Sequence, residues 1–138
     1  MDRTEQLTVD AKLEKLNDVL SFIDGILEAE DCNVKAMMQL DVAVEEIFVN
    51  IASYAYGDAE GKADINVSIS EDTRTVSIEF RDSGTPFNPL AKPDPDVTLP
   101  AEERQIGGLG IYMVKKSMDD VSYEYTNGQN IFTIRKAL

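Results

Sequence analysis

Three short stretches of the chain carry residues whose types and spacing can do chemistry. The first is Glu45-Glu46-Ile47-Phe48-Val49-Asn50. If the segment is helical, Glu46 and Asn50 stand at i and i+4 and emerge on one face. A carboxylate and an amide oxygen so placed can meet Mg²⁺ and its water, because that hard cation takes oxygen ligands and keeps waters and substrate phosphates. The same pair also occurs on ordinary solvated helix faces. Asn50, however, is a poor helix former set among Ile47, Phe48, Val49 and Ile51, where a polar side chain is costly unless it has a partner.

The second stretch is Asp82-Ser83-Gly84-Thr85-Pro86-Phe87, at the end of an apolar-alternating run that closes on Phe80. A carboxylate at a strand end can accept a hydrogen bond from an exocyclic amine such as that of adenine. Gly84 would let backbone approach a flat base closely. The plainer alternative is an Asp-Ser-Gly turn. The third stretch is Gly107-Gly108-Leu109-Gly110, ahead of an apolar helix through Ile111, Val114 and Met118. Glycine-rich loops at helix N-termini offer backbone N–H groups and the positive dipole end to phosphates, although a flexible connector has the same composition. Neither a GxxxxGK[ST] loop nor the GxGxxG spacing is present.

These stretches need elements to hold them. Residues 5–10 read as a short strand, and Leu13, Leu16, Val19, Leu20, Ile23, Ile26 and Leu27 fall at helical spacing up to about Glu30. Asp31-Cys32-Asn33 supplies turn and N-cap chemistry for a second helix from Val34 to Tyr56, closed by Gly57. Residues 63–70 and Val76–Phe80 alternate as two half-buried strands of a hairpin, turning at Glu71–Arg74. All five prolines lie between Pro86 and Pro100, so this stretch cannot be a helix or a central strand. A loop of that length in a compact domain suits a functional lid, here about residues 85–107. A helix follows the glycines. Two last strands, Val121–Tyr125 and Asn130–Arg135, meet through Asn127-Gly128, a strong hairpin signal. The order β-α-α-β-β-loop-α-β-β predicts an α+β fold, a two-layer sandwich with a mostly antiparallel sheet covered on one face by three helices.

Composition sets limits on this reading. The 138 residues fit one domain, 1–138, with room for a core. The formal net charge is −13, and no Lys/Arg cluster is present to neutralise a phosphate backbone, so nucleic acid is not expected as a partner. An acidic surface suits a basic protein partner, or simply solubility. There is no histidine, which excludes a Ser-His-Asp triad, a His-ligated metal and a phosphohistidine on this chain. The single Cys32 cannot form an internal disulfide and reads as a small buried or partly buried thiol. No apolar run reaches the roughly 20 residues needed to span a bilayer, and the polar N-terminus shows no secretory signal, so a cytoplasmic location away from membranes is expected.

Taken in order, Glu-x-x-x-Asn on a helix, Asp-x-Gly after a strand, a long lid and Gly-x-Gly opening a helix resemble the N box and two glycine boxes of the GHKL ATPases. The stretches VEEIFVNIASYAYG, DSGTPFNP and GGLGIYMVKKSMDDVSY look most like the small anti-sigma-factor serine kinases of the RsbW type, over nearly the whole chain. Asn88 replaces the Asp of their D-x-G-x-P-F-D-P signature, and Tyr54 stands where many of them carry His. The resemblance implies a histidine-kinase-like ATPase fold that uses ATP and Mg²⁺. It implies Glu46 as the catalytic base, Asn50 as the Mg²⁺ ligand, and Asp82 and Gly84 at adenine. Gly108, Leu109 and Gly110 would lie at the phosphates, and Arg104 in the lid would reach the γ-phosphate, with Lys92 as the other lid cation. It further implies a homodimer that phosphorylates a STAS-type antagonist and competes for a sigma factor. A non-catalytic ATP-gated binding module and a stand-alone histidine-kinase-type catalytic domain are the alternatives.

Overall fold

The computed structural model describes residues 3–57, 59–91 and 109–138. Strand β1 (Arg3–Asp10) leads through a 3-10 turn (Leu13–Lys15) into helix α1 (Leu16–Ala29), followed by α2 (Val34–Asn50) and a π-helical turn (Ile51–Ala55). The hairpin β2 (Lys62–Ser70) and β3 (Thr75–Asp82) comes next, with a short 3-10 turn at Pro89–Ala91. Helix α3 (Leu109–Ser117) precedes the hairpin β4 (Asp120–Thr126) and β5 (Gln129–Ala137). The five strands form one sheet in the order β1-β2-β3-β5-β4, and each neighbouring pair is antiparallel.

The period-2 pattern of the strands decides the layering. Ala63, Ile65, Val67 and Ile69 of β2, Val76, Ile78 and Phe80 of β3, and Phe132 and Ile134 of β5 are buried on one face. They pack with Val19, Ile23 and Leu27 of α1, Leu40, Val44 and Phe48 of α2, and Val114 of α3 in one core cluster. Each such fully buried side chain contributes roughly 1.5–3 kcal/mol from removal of apolar surface from water. The other face of the sheet carries Thr4, Gln6, Asn66, Ser68, Ser77 and Glu79, and among the described residues no helix lies over it. This is the two-layer α+β sandwich read from the sequence, with α2 contacting both α1 and α3.

Local chemistry sets the element ends. The Asn33 side chain accepts a hydrogen bond from the Ala36 N–H at 2.8 Å, capping α2 as its composition predicts, a contact of about 1 kcal/mol. Asn127 and Gly128 have φ of 52° and 78°, the conformation that tight two-residue hairpins require. Two helix expectations need correction. Leu13 does not join the buried row of α1; it is 58 % exposed, because the 3-10 turn that holds it is wound with a different period from the helix that follows. The second helix does not run as regular α-helix to Tyr56; its last turn widens into the π-helical turn at Ile51–Ala55. Cys32 is half-buried, and burial pushes its thiol pKa up, which disfavours the nucleophilic thiolate. Lys116 lies over the Tyr112 ring, 5.5 Å from its centroid, while Asp120 pairs with Arg135 at 2.8 Å. Among the described residues no helix is long and apolar enough to cross a membrane.

Candidate nucleotide site

A pocket opens between the C-terminal end of α2, the loop after β3, the start of α3 and strands β4 and β5. Asn50, Tyr54, Asp82, Thr85, Phe87, Ile111, Tyr123 and Asn130 are among the residues that line it. The structure thus brings Asn50 and Asp82 to one cavity although they stand on different elements. Its walls are largely apolar with few polar groups, the usual make-up of a site for an aromatic ligand.

Asp82 is the last residue of β3 and shares the core-facing side of that strand with Val76, Ile78 and Phe80. It is only 5 % exposed. A carboxylate so enclosed needs donors, and its Oδ1 has two: the Gly84 N–H at 3.0 Å and the Asn130 side-chain amide at 2.9 Å. Asn130 is equally enclosed, at 6 % exposure. Its amide also donates to the Thr85 carbonyl at 3.0 Å, and its Oδ1 accepts from the Phe87 N–H at 3.1 Å and from the Tyr123 hydroxyl. Burial pushes the Tyr123 phenol pKa up, and the neighbouring Asp82 acts in the same direction, so the phenol stays a donor at neutral pH.

The loop after β3 is also fixed from the α2 side. The Thr85 N–H donates to the Ala55 carbonyl at 2.7 Å. Gly84 lies so close to this carbonyl that a Cβ would overlap it. Glycine is therefore required for the approach of loop to helix, as well as being suited to the approach of a base. The Tyr56 hydroxyl accepts from the Ser83 N–H at 2.8 Å and donates to the Lys62 carbonyl at 2.6 Å, while its ring covers Gly61. The π-helical turn carries Ala55 and Tyr56 to these positions; such turns occur frequently at functional sites.

At the other end of the site, the first turn of α3 meets α2. A Cβ on Gly110 would overlap the Glu46 carboxylate, so this glycine lets the α3 backbone lie against Glu46. Leu109 is the first residue of α3. Gly108, Arg104 and Lys92, and the lid beyond Ala91, lie outside the described residues. Among the described residues no group of three or more carboxylate, Cys or His side chains is placed to hold a metal ion. Asn50 lines the pocket, and a side-chain amide oxygen is a ligand type that suits a hard cation bound mainly through phosphate and water.

The sequence reading missed Asn130, Tyr56 and Tyr123. For Asn130 a signal was present. It falls on the same strand face as Phe132 and Ile134, a polar residue in an apolar row, which is the argument that singled out Asn50. Tyr56 and Tyr123 gave no such signal, because an aromatic residue near the core needs no polar partner to explain it.

Comparison with known proteins agrees with this geometry. Residues 9–136 match the histidine kinase-like ATPase domain. The chain is 30% identical over 114 residues to the serine-protein kinase RsbW of Listeria monocytogenes, covering 79% of this chain and 71% of that protein. It is 23% identical over 132 residues to the serine/threonine-protein kinase BtrW of Bordetella bronchiseptica, covering 96% of this chain and 92% of the relative. Bacillus cereus RsbW is 24% identical over 135 residues, covering 95% and 84%. The chain belongs to the histidine kinase-like ATPase family and, within it, to the RsbW-type anti-sigma-factor serine kinases that its three boxes resemble.

Proposed function

We propose that this protein uses Mg·ATP to phosphorylate a serine on a small STAS-type antagonist, and that it holds a sigma factor when the antagonist is not engaged. The observation that carries the reading is the meeting of Asn50, Asp82 and the Gly84 loop at one pocket, with Gly110 packed against Glu46 beside it. Asp82 would accept from the adenine amine, and the Gly84 loop would lie against the ring. Asn50 would hold the Mg²⁺, which when bound neutralises charge on the phosphates. Gly108, Leu109 and Gly110 would offer backbone N–H groups at the phosphates, and Arg104 would approach the γ-phosphate from the lid. The serine oxygen of the antagonist attacks the γ-phosphorus, its proton passes to the Glu46 carboxylate, and ADP departs with the electrons of the broken P–O bond. Positioning and charge stabilisation supply most of the acceleration in such transfers.

The protein would act in the cytoplasm as a homodimer, with antagonist and sigma factor competing for a surface near the lid and α2. Its acidity favours a partner surface of opposite sign. The test is phosphate transfer from Mg·ATP to the cognate antagonist, compared with Glu46→Gln. Loss of a general base lowers transfer by about 10²–10⁴-fold while ATP affinity stays within about threefold. An unchanged transfer rate would remove Glu46 from the reaction. Loss of ATP binding would make it a ligand residue instead. Absence of transfer by the wild-type protein would favour an ATP-gated binding module.

A further inference from the structure

The outer surface of the helix layer collects residues that the fold itself does not need. Along α2, Val34, Met38 and Val42 stand one turn apart and are 74 %, 64 % and 58 % exposed. They lie opposite the buried row of Leu40, Ala43, Val44 and Ile47. A single exposed apolar residue is ordinary on a protein surface, but three in line on one helix form a patch. Val is also a poorer helix former than the Lys, Glu or Gln that could stand there.

Beside this row, the exposed side of α1 is low, with Ser21 and Gly25. Gly25 sits in mid-helix, where glycine costs stability relative to alanine. A Cβ there would meet no atom within 4 Å, so nothing inside the described chain calls for glycine. Where the two helices meet, Asp24 and Asp41 lie side by side, each with an enclosed Oδ1 that no donor reaches. From Asn17 to Glu45 the sequence holds seven carboxylates against one cation, Lys35.

Each of these features costs the isolated chain something, and all of them fall on the α1–α2 layer. Residues that break a local rule with no gain inside the fold are explained by what they meet outside it. We propose that this surface is a docking site for a basic amphipathic helix of a protein partner. The apolar ridge of that helix would lie along Val34, Met38 and Val42. Its backbone would approach closely over Ser21 and Gly25, and an Arg or Lys on its flank would stand beside the Asp24–Asp41 pair. Charge selects this occupant. A second copy of the chain, at a net charge of −13, would bring carboxylates to carboxylates, and an anionic membrane would be repelled in the same way. Met38 lies about 18 Å along α2 from Asn50, so the inference does not rest on the nucleotide pocket.

The probe is a synthetic amphipathic helix of about five turns, with Leu along one face, Arg on its flanks and one Trp in the Leu row. The protein has no Trp, so fluorescence excited at the red edge reports the peptide alone. The full chain should bind it about tenfold or more tightly than a twin carrying Glu in place of Arg. Met38→Glu should weaken binding about tenfold, by setting a charge in the apolar row. Simple charge attraction predicts the reverse, because this variant is more acidic. Gly25→Gln should raise the thermal midpoint, since glutamine is the better helix former, and yet weaken the peptide about fivefold by filling the low row. Asp41→Asn should weaken it about threefold.

Equal affinity for the two peptides overturns the proposal, as does binding that Met38→Glu leaves unchanged or strengthens. Binding unaffected by Gly25→Gln removes the close approach and overturns it as well. Sedimentation of the wild type and Met38→Glu supplies the remaining arm. A dimer that this variant dissociates would make a second copy the occupant, against the proposal. Titration of each variant with Mg·ATP should match the wild type. Wild-type protein that binds the peptide but no ATP would sink the kinase reading and leave the docking surface standing.

Discussion

Among the described residues, one buried pair of polar side chains and one partly buried pair are handled in opposite ways. Asp82 and Asn130 join β3 to β5, and the amide brings donors to the carboxylate and acceptors to nothing but the loop's own N–H and a phenol. Asp24 and Asp41 join α1 to α2, and there carboxylate meets carboxylate. Each has a buried oxygen, Oδ1, with no hydrogen-bond partner. Burial, and Asp24 alongside, push the Asp41 carboxyl up to about 7. The first pair fixes a loop in one conformation. The second withholds stability unless a proton is shared between its members. Burial of polar groups is thus neither good nor bad for the fold; the sign depends on whether donors and acceptors are matched.

The sharpest way to break this contrast is to remove the amide. Asn130→Ala removes the amide's bonds to the Phe87 N–H, the Thr85 carbonyl and the buried Asp82 carboxylate, and should cost about 3 kcal/mol of stability. Urea denaturation followed by circular dichroism measures it, and a loss below about 1 kcal/mol would mean that water replaces the amide. Tyr56→Phe acts on the other anchor of the same loop. It removes the bonds to Ser83 N–H and the Lys62 carbonyl, both near the surface, and should cost about 1.5 kcal/mol with a weaker hold on ATP.

The smallest effect has the opposite sign. Asp41→Asn should stabilise the protein by about 1 kcal/mol at pH 8, less than the shift alone suggests because the pair is partly exposed. The pH dependence follows from the direction of the shift. The folded state holds the Asp41 proton more tightly than the unfolded chain, whose carboxyl titrates near 3.8. Wild-type stability from this pair therefore falls as pH rises from about 4 to about 7 and stays low above that. The gain from Asp41→Asn should grow between pH 5 and pH 8 in paired urea melts. An equal gain at both values would mean that the two carboxylates do not share a proton.

The same contrast marks what the sequence made legible. Strand alternation and helical spacing gave the elements within a few residues, and Asn33 and Asn127-Gly128 gave two of their ends, because these signals are local. Asp82, Gly84, Glu46 and Asn50 were singled out through their motifs, and of these Asp82 and Asn50 line one pocket. The close approach of Gly110 to Glu46 was not, since it depends on how α3 meets α2. Nor was the Asp24–Asp41 pair, since each residue alone looks like an ordinary carboxylate at the edge of an amphipathic helix. Asn130 lay between these cases: strand parity put it among apolar neighbours, but its partners come from residues 82–87, more than forty positions away. The π-helical turn escaped entirely, because Ile51–Ala55 has the composition of any apolar helix end.

That turn has a bearing on descent. Ile47, Ile51 and Ala55 are buried at successive steps of four, whereas a 3.6-residue helix drifts by about 40° at each such step. The widened turn absorbs the drift and holds the Ala55 carbonyl over the Thr85 N–H. A lineage that lost one residue between 51 and 55 would regain a regular helix and lose that bond, along with the seat of Tyr56 on Ser83. The count of residues in this segment should therefore tolerate less change than the side chain at exposed Ser53, whereas Ala52 still packs against the core.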